Sequence, residues 1–310
     1  MSNESKGRLG SSGYVILFFV ALVFFTYTTF PYGILKEAVT SYISKETGYV
    51  VRVGELGPDL PIGFYVDDVS VISSLDAPPL ELKSMTVELN LLRLFLGQVA
   101  IDLEIESEDD GWLDFGGRIG VTQLFSSDFF PSSVDIEAEN FELSNLISFV
   151  LGKVASDPTN FLGGLLKKIG MKGKLDGEVN FDIDRSNPAD STGKVNLMVK
   201  NASLTVDEPS LGLSNQKFKK ALVQAQVENG KVSISKQSGF HTQEFIMDMN
   251  GSVQLRPQLT SSGLNVVISL KLLEKLKKEY GFFLNMAGGR DGEIVVSLKG
   301  SLANIRKTIR

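Results

Sequence analysis

The feature that most constrains this chain is an uncharged segment near its amino terminus. No residue from 9 to 35 carries a charge, and residues 14–25 are almost continuously apolar. With residues 26–32 added, the run reaches about 19 residues, or roughly 28 Å of helix, close to the thickness of a bilayer's hydrocarbon core. Aromatic residues flank the run at both ends, as in the interfacial belts of membrane helices. The sequence therefore predicts a transmembrane helix over residues 14–32.

Two other interpretations of this segment are a cleaved signal peptide and a buried core helix. A signal peptide has small residues at its cleavage site, whereas this run ends in the bulky sequence FFTYTTF at residues 24–30. A core helix rarely lacks a polar face so close to the start of a chain. We favour a retained anchor. Lys6 and Arg8 precede it and Lys36 follows, which favours a cytoplasmic amino terminus with the body after the anchor.

Composition narrows the possible functions. Charged residues make up 22% and hydrophobic residues 43% of the chain, as in folded proteins rather than disordered ones. The formal net charge of -6 shows no basic excess, so we expect no nucleic-acid partner. The chain contains no cysteine and one histidine, His241, which excludes disulfides, thiol catalysis, thiolate metal sites and multi-histidine metal sites.

An amphipathic helix is predicted directly after the anchor, over residues 33–48. Apolar residues recur at helical spacing from Ile34 to Ile43, with charged and polar residues largely opposite them. Gly48 is suited to the left-handed conformation that ends many helices. The helix could lie on the membrane surface or cap the following sheet. We favour capping because its polar face is not rich in lysine or arginine.

The rest of the chain is mainly β in pattern, with a few helical interruptions. Apolar residues alternate with polar ones in several segments, which predicts strands at 49–53, 63–71, 80–82, 85–91, 99–106 and 134–143. A glycine recurs just before such alternation, and we interpret each as a turn that opens a strand: Gly97, Gly177, Gly193, Gly230, Gly251 and Gly292. Helical spacing predicts two short helices within 143–169 and one at 270–280.

These elements indicate a mainly β fold: a transmembrane helix followed by a long antiparallel sheet with short capping helices. Strongly twisted sheets rarely exceed about ten strands without curling. A curled sheet of this length becomes either a groove lined by aliphatic side chains or a partly closed barrel.

No catalytic residue, cofactor site or metal site is predicted. His241 lies near Glu244 but near no recognisable nucleophile, and a strand-edge or turn position explains it better. The acidic residues Glu108, Asp109, Asp110, Asp182 and Asp184 lack the ligand spacing of a calcium loop and indicate solvated surface. The glycine pairs at 163–164 and 288–289 lack the context of a phosphate loop, and Asn201 to Ser203 matches a glycosylation acceptor only as a bare triplet.

Five segments in order resemble the protein N family of type II secretion systems and the wider AsmA-like group. They are FPYGILK at 30–36, GYVVRV at 48–53, LPIGFYVDDV at 60–69, GKLDGEVNF at 173–181 and STGKVNL at 191–197. The resemblance spans nearly the whole chain and is closest to members without a long cytoplasmic region. It implies an AsmA-like groove and a single-pass inner-membrane protein, with residues 1–13 cytoplasmic and the β-rich domain at 49–310 in the periplasm.

Three functions remain open at this point. The first, which we favour, is a non-enzymatic scaffold or interaction subunit of the type II secretion machinery, anchored in the bilayer and bound to other secretion components. The second is an AsmA-like envelope protein that binds or transports lipid, its sheet shielding acyl chains at about 0.8 kcal/mol for each buried methylene. The third, an envelope enzyme, is disfavoured because no catalytic constellation is found.

Overall fold

The computed structural model describes residues 11–60, 62–72, 79–121, 132–155, 168–184, 187–207, 215–286 and 288–310. Its helices are α1 (Ser11–Thr28), α2 (Tyr32–Thr47), α3 (Leu143–Ala155) and α4 (Glu274–Met286). Short 3-10 turns cover Leu91–Leu96, Pro188–Asp190 and Leu259–Ser261.

In the described residues, seventeen strands form one sheet. In the first half they are β1 (Val50–Arg52), β2 (Leu56–Asp59), β3 (Gly63–Ile72), β4 (Leu80–Leu89), β5 (Gln98–Glu106), β6 (Trp112–Gly120), β7 (Ser133–Glu142) and β8 (Ile169–Asp182). In the second half they are β9 (Thr192–Val206), β10 (Gln216–Lys217), β11 (Lys220–Glu228), β12 (Lys231–Ile234), β13 (Gly239–His241), β14 (Phe245–Gln254), β15 (Gly263–Leu272), β16 (Glu293–Ser301) and β17 (Asn304–Ile309).

The sheet is an antiparallel meander in which strands pair with their neighbours in sequence. β1 and β2 lie end to end along β3, and β3 to β9 then pair in chain order. β10 and β11 share one position beside β9, β12 and β13 share the next, and β14 to β17 complete the order. Short connections favour this arrangement because antiparallel neighbours need only tight turns.

The two ends of the sheet differ. At one end Gly63 pairs with Glu88, and the β4–β5 connection follows as the Leu91–Leu96 turn. At the other end Glu106 pairs with Trp112, and α3 and α4 both connect strands there. We call these the α1 end and the helix-capped end, because α1 joins the sheet at the first of them.

Strict alternation places the apolar side chains of successive strands on one face. One row across the sheet runs Val66, Met85, Ile105, Leu113 and Ala138. A buried cluster forms around Val66, Val69, Leu82, Ala138 and Phe141, and Leu146 of α3 packs against it. α3 thus covers this face at the helix-capped end. The predicted mainly β architecture with few helices is confirmed.

An aromatic cluster fixes the junction of α1 and α2 to the β2–β3 turn. The Tyr27 hydroxyl donates a 2.7 Å hydrogen bond to the carbonyl oxygen of Asp59 and accepts one of 2.9 Å from the amide of Gly63. Tyr32 is buried, and its ring packs edge-on against those of Tyr27 and Phe64, with centroids 6.2 and 6.1 Å away. The junction is therefore held by both packing and hydrogen bonds.

α2 lies along the outer edge of β1 and β2. The ammonium group of Lys36 donates a 2.9 Å hydrogen bond to the carbonyl oxygen of Gly54, and the amide of Val51 donates one to the Ser44 hydroxyl. These bonds occupy backbone groups of an edge that an extra strand could otherwise pair with. Gly48 ends α2 with φ 74°, as predicted.

Helix α1 ends at Thr28, four residues before the predicted end of the anchor at 32, and α2 begins directly after Pro31. Within the described ranges, no helix combines the length and apolarity that crossing a bilayer requires.

Several predicted elements differ in detail. The segments 80–82 and 85–91 form one strand, β4, and the helix predicted at 270–280 begins only at Glu274 because residues up to Leu272 belong to β15. The second helix predicted within 143–169 falls mostly outside the described residues. Gly97, Gly230 and Gly292 precede strands as predicted, whereas Gly177, Gly193 and Gly251 lie within strands.

Gly177 and Gly251 are required for close backbone packing rather than for turns. Both have positive φ, at 136° and 143°. A Cβ at Gly177 would lie 1.9 Å from the carbonyl oxygen of Asn196, and one at Gly251 would lie 2.3 Å from that of Asn265. Each glycine therefore lets an adjacent strand approach where any side chain would collide with backbone.

We expect Gly177→Ala to destabilise the sheet by about 2–4 kcal/mol, because the new methyl group must displace β9 and hold a strained φ. The measurement is denaturant unfolding of the purified chain. Gly263→Ala is the control, since its Cβ would meet only Gln254, at 3.8 Å. Equal stability of the two variants would contradict this account of Gly177.

Tyr27→Phe keeps the ring packing but removes the hydroxyl, so the Gly63 amide and the Asp59 carbonyl each lose a partner. We expect a loss of about 1–2 kcal/mol, confined to this junction. Hydrogen exchange should show the Gly63 amide exchanging faster, with the β14–β15 amides unchanged. Unaltered exchange at Gly63 would show that the hydroxyl does not hold the junction.

Candidate functional site

The apolar face of the sheet is only partly covered. Most of its side chains are half-buried rather than buried, including Leu103, Phe115, Leu197 and Ile268. Such a face can bind another apolar surface or ligand.

An apolar cavity of about 290 Å³ lies under α4 at the helix-capped end. It is lined by residues of four strands and of α4: Leu204, Val206, Gln216, Phe245, Leu270, Leu272, Leu276, Tyr280 and Leu284. Leu204 and Leu270 belong to β9 and β15, which are not neighbours in the sheet. Because both line one cavity, the sheet curls toward its apolar side here.

A second apolar cavity, of about 500 Å³, lies where α1 meets the sheet. Its lining is aliphatic and aromatic apart from Thr26 and the tyrosine hydroxyls: Leu22, Thr26, Tyr27, Phe30, Tyr32, Leu35 and Phe64. The α1 end of the sheet therefore combines an apolar cavity with the exposed helix that leads into it.

The opposite face of the sheet carries a row of carboxylates. Glu104 pairs with Asp114, Asp114 with Glu137, and Glu137 with Glu178, each directly across adjacent strands. We call Glu104, Asp114, Glu137 and Glu178 the acidic ladder. Like charges directly opposite each other destabilise a sheet, so this row lowers the stability of the isolated protein.

The pKa values along the ladder reflect this crowding. Partial burial raises the pKa of Glu104, and the nearby carboxylates of Asp114, Glu106 and Glu88 raise it further. Burial, followed by the charge of Asp102, likewise raises the pKa of Asp114. At one end of the ladder Lys194 forms an ion pair with Glu178. The ladder thus presents a strip of negative potential.

A shallow pocket of about 290 Å³ beside the ladder includes Asp102, Gly116 and Asp135. Gly116 lies between these two aspartates in the cross-strand row, so the missing side chain leaves the space open. Arg118 reaches the Asp135 carboxylate at 3.4 Å. Basic side chains from a partner could enter this pocket and pair with the carboxylates.

His241 does not pair with Glu244. Its Nε2 lies 2.7 Å from Oδ1 of Asp248, on the adjacent strand β14. Glu244 instead accepts hydrogen bonds from Gln216 and Lys275. His241 is the last residue of strand β13. The resulting pair is a cross-strand contact on the sheet.

The remaining residues singled out from sequence lie in turns and strands. Asp110 lies in the β5–β6 turn with φ 57°, and Lys83 approaches it at 3.5 Å. Asp184 lies beyond the end of β8 and accepts a hydrogen bond from the amide of Asn187. Asn201 is within β9, and the glycine pair 163–164 falls outside the described residues. The described part of the chain holds no group of three or more potential metal ligands.

Comparison with known proteins gives no relative: no family model, no curated protein and no solved structure matches the chain.

The ladder yields a pH prediction. When folding raises the pKa of a carboxyl, protonation of that carboxyl stabilises the folded state. This stabilisation is complete below the carboxyl's pKa in the unfolded state, and it is lost as pH rises through its pKa in the folded state. Glu104→Gln should therefore raise the free energy of unfolding at pH 7 by about 0.5 kcal/mol after solvent screening, and should have no effect below about pH 4.

Glu106→Gln, two residues along the same strand, is the matched control. Hydrogen bonds from Lys83 and Ser84 lower the pKa of Glu106. Its stabilising contribution is present above its unfolded pKa and disappears as pH falls through the lowered folded value, so this variant should be less stable at neutral pH. Urea titrations of both variants from pH 4 to 7 test the opposite signs, and effects of the same sign would refute the ladder electrostatics.

Proposed function

We propose that this chain is an accessory component of a type II protein secretion system. In this proposal α1 anchors it in the inner membrane, the sheet lies in the periplasm, and the protein acts by binding other components rather than by catalysis. The resemblance of five ordered segments to the protein N family motivates the choice of machinery. The partly covered apolar face and the acidic ladder on the opposite face of the sheet support a role in binding other proteins.

The surface of α1 supports the anchoring step. Several of its described large apolar side chains are exposed, with Leu17 at 56%, Leu22 at 49% and Phe25 at 63%. The contacts of α1 with the sheet lie at its carboxyl end, where Tyr27 bonds to Asp59 and Gly63. Exposure of so many apolar groups along one helix is costly in water and favourable in lipid.

The acidic ladder is the observation that carries the interaction role. Four carboxylates in one cross-strand row destabilise the free sheet, and a partner with a matching row of basic side chains would relieve that repulsion. Complementary charge also steers association and excludes partners of the wrong sign. The proposed partner surface is therefore basic.

Affinity purification of the tagged full chain, cross-linked in its native membrane, tests the proposal. The wild type should recover inner-membrane secretion components, and Asp114→Lys combined with Glu137→Lys should reduce that recovery at least about tenfold, as expected when buried charge pairs are lost. Glu108→Lys with Asp109→Lys makes the same charge change in the β5–β6 turn and should retain recovery. Finding no secretion component, together with normal secretion in a deletion strain, would refute the proposal.

A second candidate function is binding of lipid acyl chains, and the partly covered apolar face favours it. The cavities under α4 and beside α1 have the apolar linings that acyl chains require. A groove of this kind would shield lipid between the bilayer and a partner.

Cross-linking of the full chain with a photoreactive phospholipid tests this second function. Adducts should map to the apolar face and decrease severalfold in Ile268→Trp, where the larger ring fills the groove. Val267→Trp places the same ring on the opposite face and should leave the adducts unchanged. Equal labelling of both faces would indicate non-specific contact and argue against the groove.

A further inference from the structure

We propose that the Leu91–Leu96 turn and Leu60 form a second membrane contact, which inserts into the interfacial layer of the bilayer beside α1. This inference rests on the proposed anchoring by α1, and adds that the sheet itself touches the membrane at a defined place.

Exposure of large aliphatic side chains identifies the contact. Leu92 and Leu96 are 77% and 75% exposed, and Leu60 in the β2–β3 turn is 57% exposed. Arg93 lies between the two turn leucines in sequence. Leucines that enter the acyl boundary next to an arginine at the level of the phosphates form the usual composition of an interfacial membrane contact.

The topology brings these residues to the place where α1 leaves the sheet. Leu60 follows Asp59, which accepts the hydrogen bond from Tyr27, the penultimate residue of α1. The amide of Leu89 donates a 2.9 Å hydrogen bond to Ile62, so the β4–β5 turn begins beside the β2–β3 turn. Adjacent strands are about 4.8 Å apart, so both turns lie within roughly 10 Å of the end of α1.

Because these leucines adjoin α1, the surface that they contact is lipid rather than a groove on another protein. A bilayer that surrounds α1 meets the α1 end of the sheet first, and the aromatic cluster of Tyr27, Tyr32 and Phe64 prevents the helix from pivoting freely away from it. The β5–β6 turn at the opposite end carries Glu108, Asp109 and Asp110 and has no such leucines. A helix and a second contact together set the orientation of the sheet on the membrane.

Single cysteines provide the test because the chain contains none of its own. Leu92→Cys, Leu96→Cys, Leu17→Cys in α1 and Asp109→Cys in the opposite turn are each labelled with a polarity-sensitive fluorophore. The full chain is reconstituted in vesicles of zwitterionic and anionic phospholipid. We expect blue-shifted emission at positions 92 and 96, quenched severalfold by lipids that carry a nitroxide near the head group, and no quenching at position 109.

The outcomes separate this inference from the anchoring proposal. Blue-shifted emission at position 17 with aqueous emission at 92 and 96 would overturn the second contact and leave the anchor standing. Aqueous emission at position 17 as well would overturn both. Because residues 92 and 96 are exposed, their substitution leaves the core intact, and urea unfolding of each labelled variant verifies this.

Discussion

The architecture depends on keeping one face of a very long meander apolar through every strand pairing. A slip of one residue would turn a strand's apolar side chains to the wrong face. Two local irregularities in the strands keep the apolar side chains on the same face of the sheet. Asn140 adopts φ 51° between Ala138 and Phe141, where the β7–β8 register shifts, and Asp68 adopts the same φ between Val66 and Val69. Both flanking pairs are three residues apart, yet all four side chains belong to the same buried cluster. Short polar side chains suit this conformation better than branched apolar ones.

A single-layer sheet of this size has more apolar surface than its own helices cover. α3 packs on the first half at the helix-capped end, α4 lies over the second half at the same end, and α2 lies along the first edge. Many side chains in the middle of the face and at the α1 end are only half-buried, although Val179, Val227 and Val266 are buried. This distribution explains why the two proposed functions share one structural basis: either lipid or another protein must meet a surface that the chain leaves uncovered.

The sequence predicted those features that depend on local pattern. Alternation identified most strands of the first half, and Gly48 marked the end of α2. β6 was missed because Gly116 and Gly117 interrupt its alternation, although Leu113, Phe115 and Ile119 keep the period. Gly177 and Gly251 were misread as turns because a glycine needed for close strand approach has the same sequence signature as a turn glycine. The acidic ladder could not be predicted, since its carboxylates come from four strands and meet only through the register.

The position of the ladder constrains which partners can reach it. Gly63, to which Tyr27 is hydrogen-bonded, belongs to the same cross-strand row as Glu88 and Asp102, and the ladder is the next outward-facing row along the strands, about 7 Å further from the α1 end. If α1 lies in the bilayer, a partner that binds the ladder must approach within about a nanometre or two of the membrane surface. Anionic lipid head groups would repel the ladder itself but attract a basic partner to the same layer. A membrane-bound partner with basic residues beside its own anchor therefore fits this surface better than a freely diffusing protein.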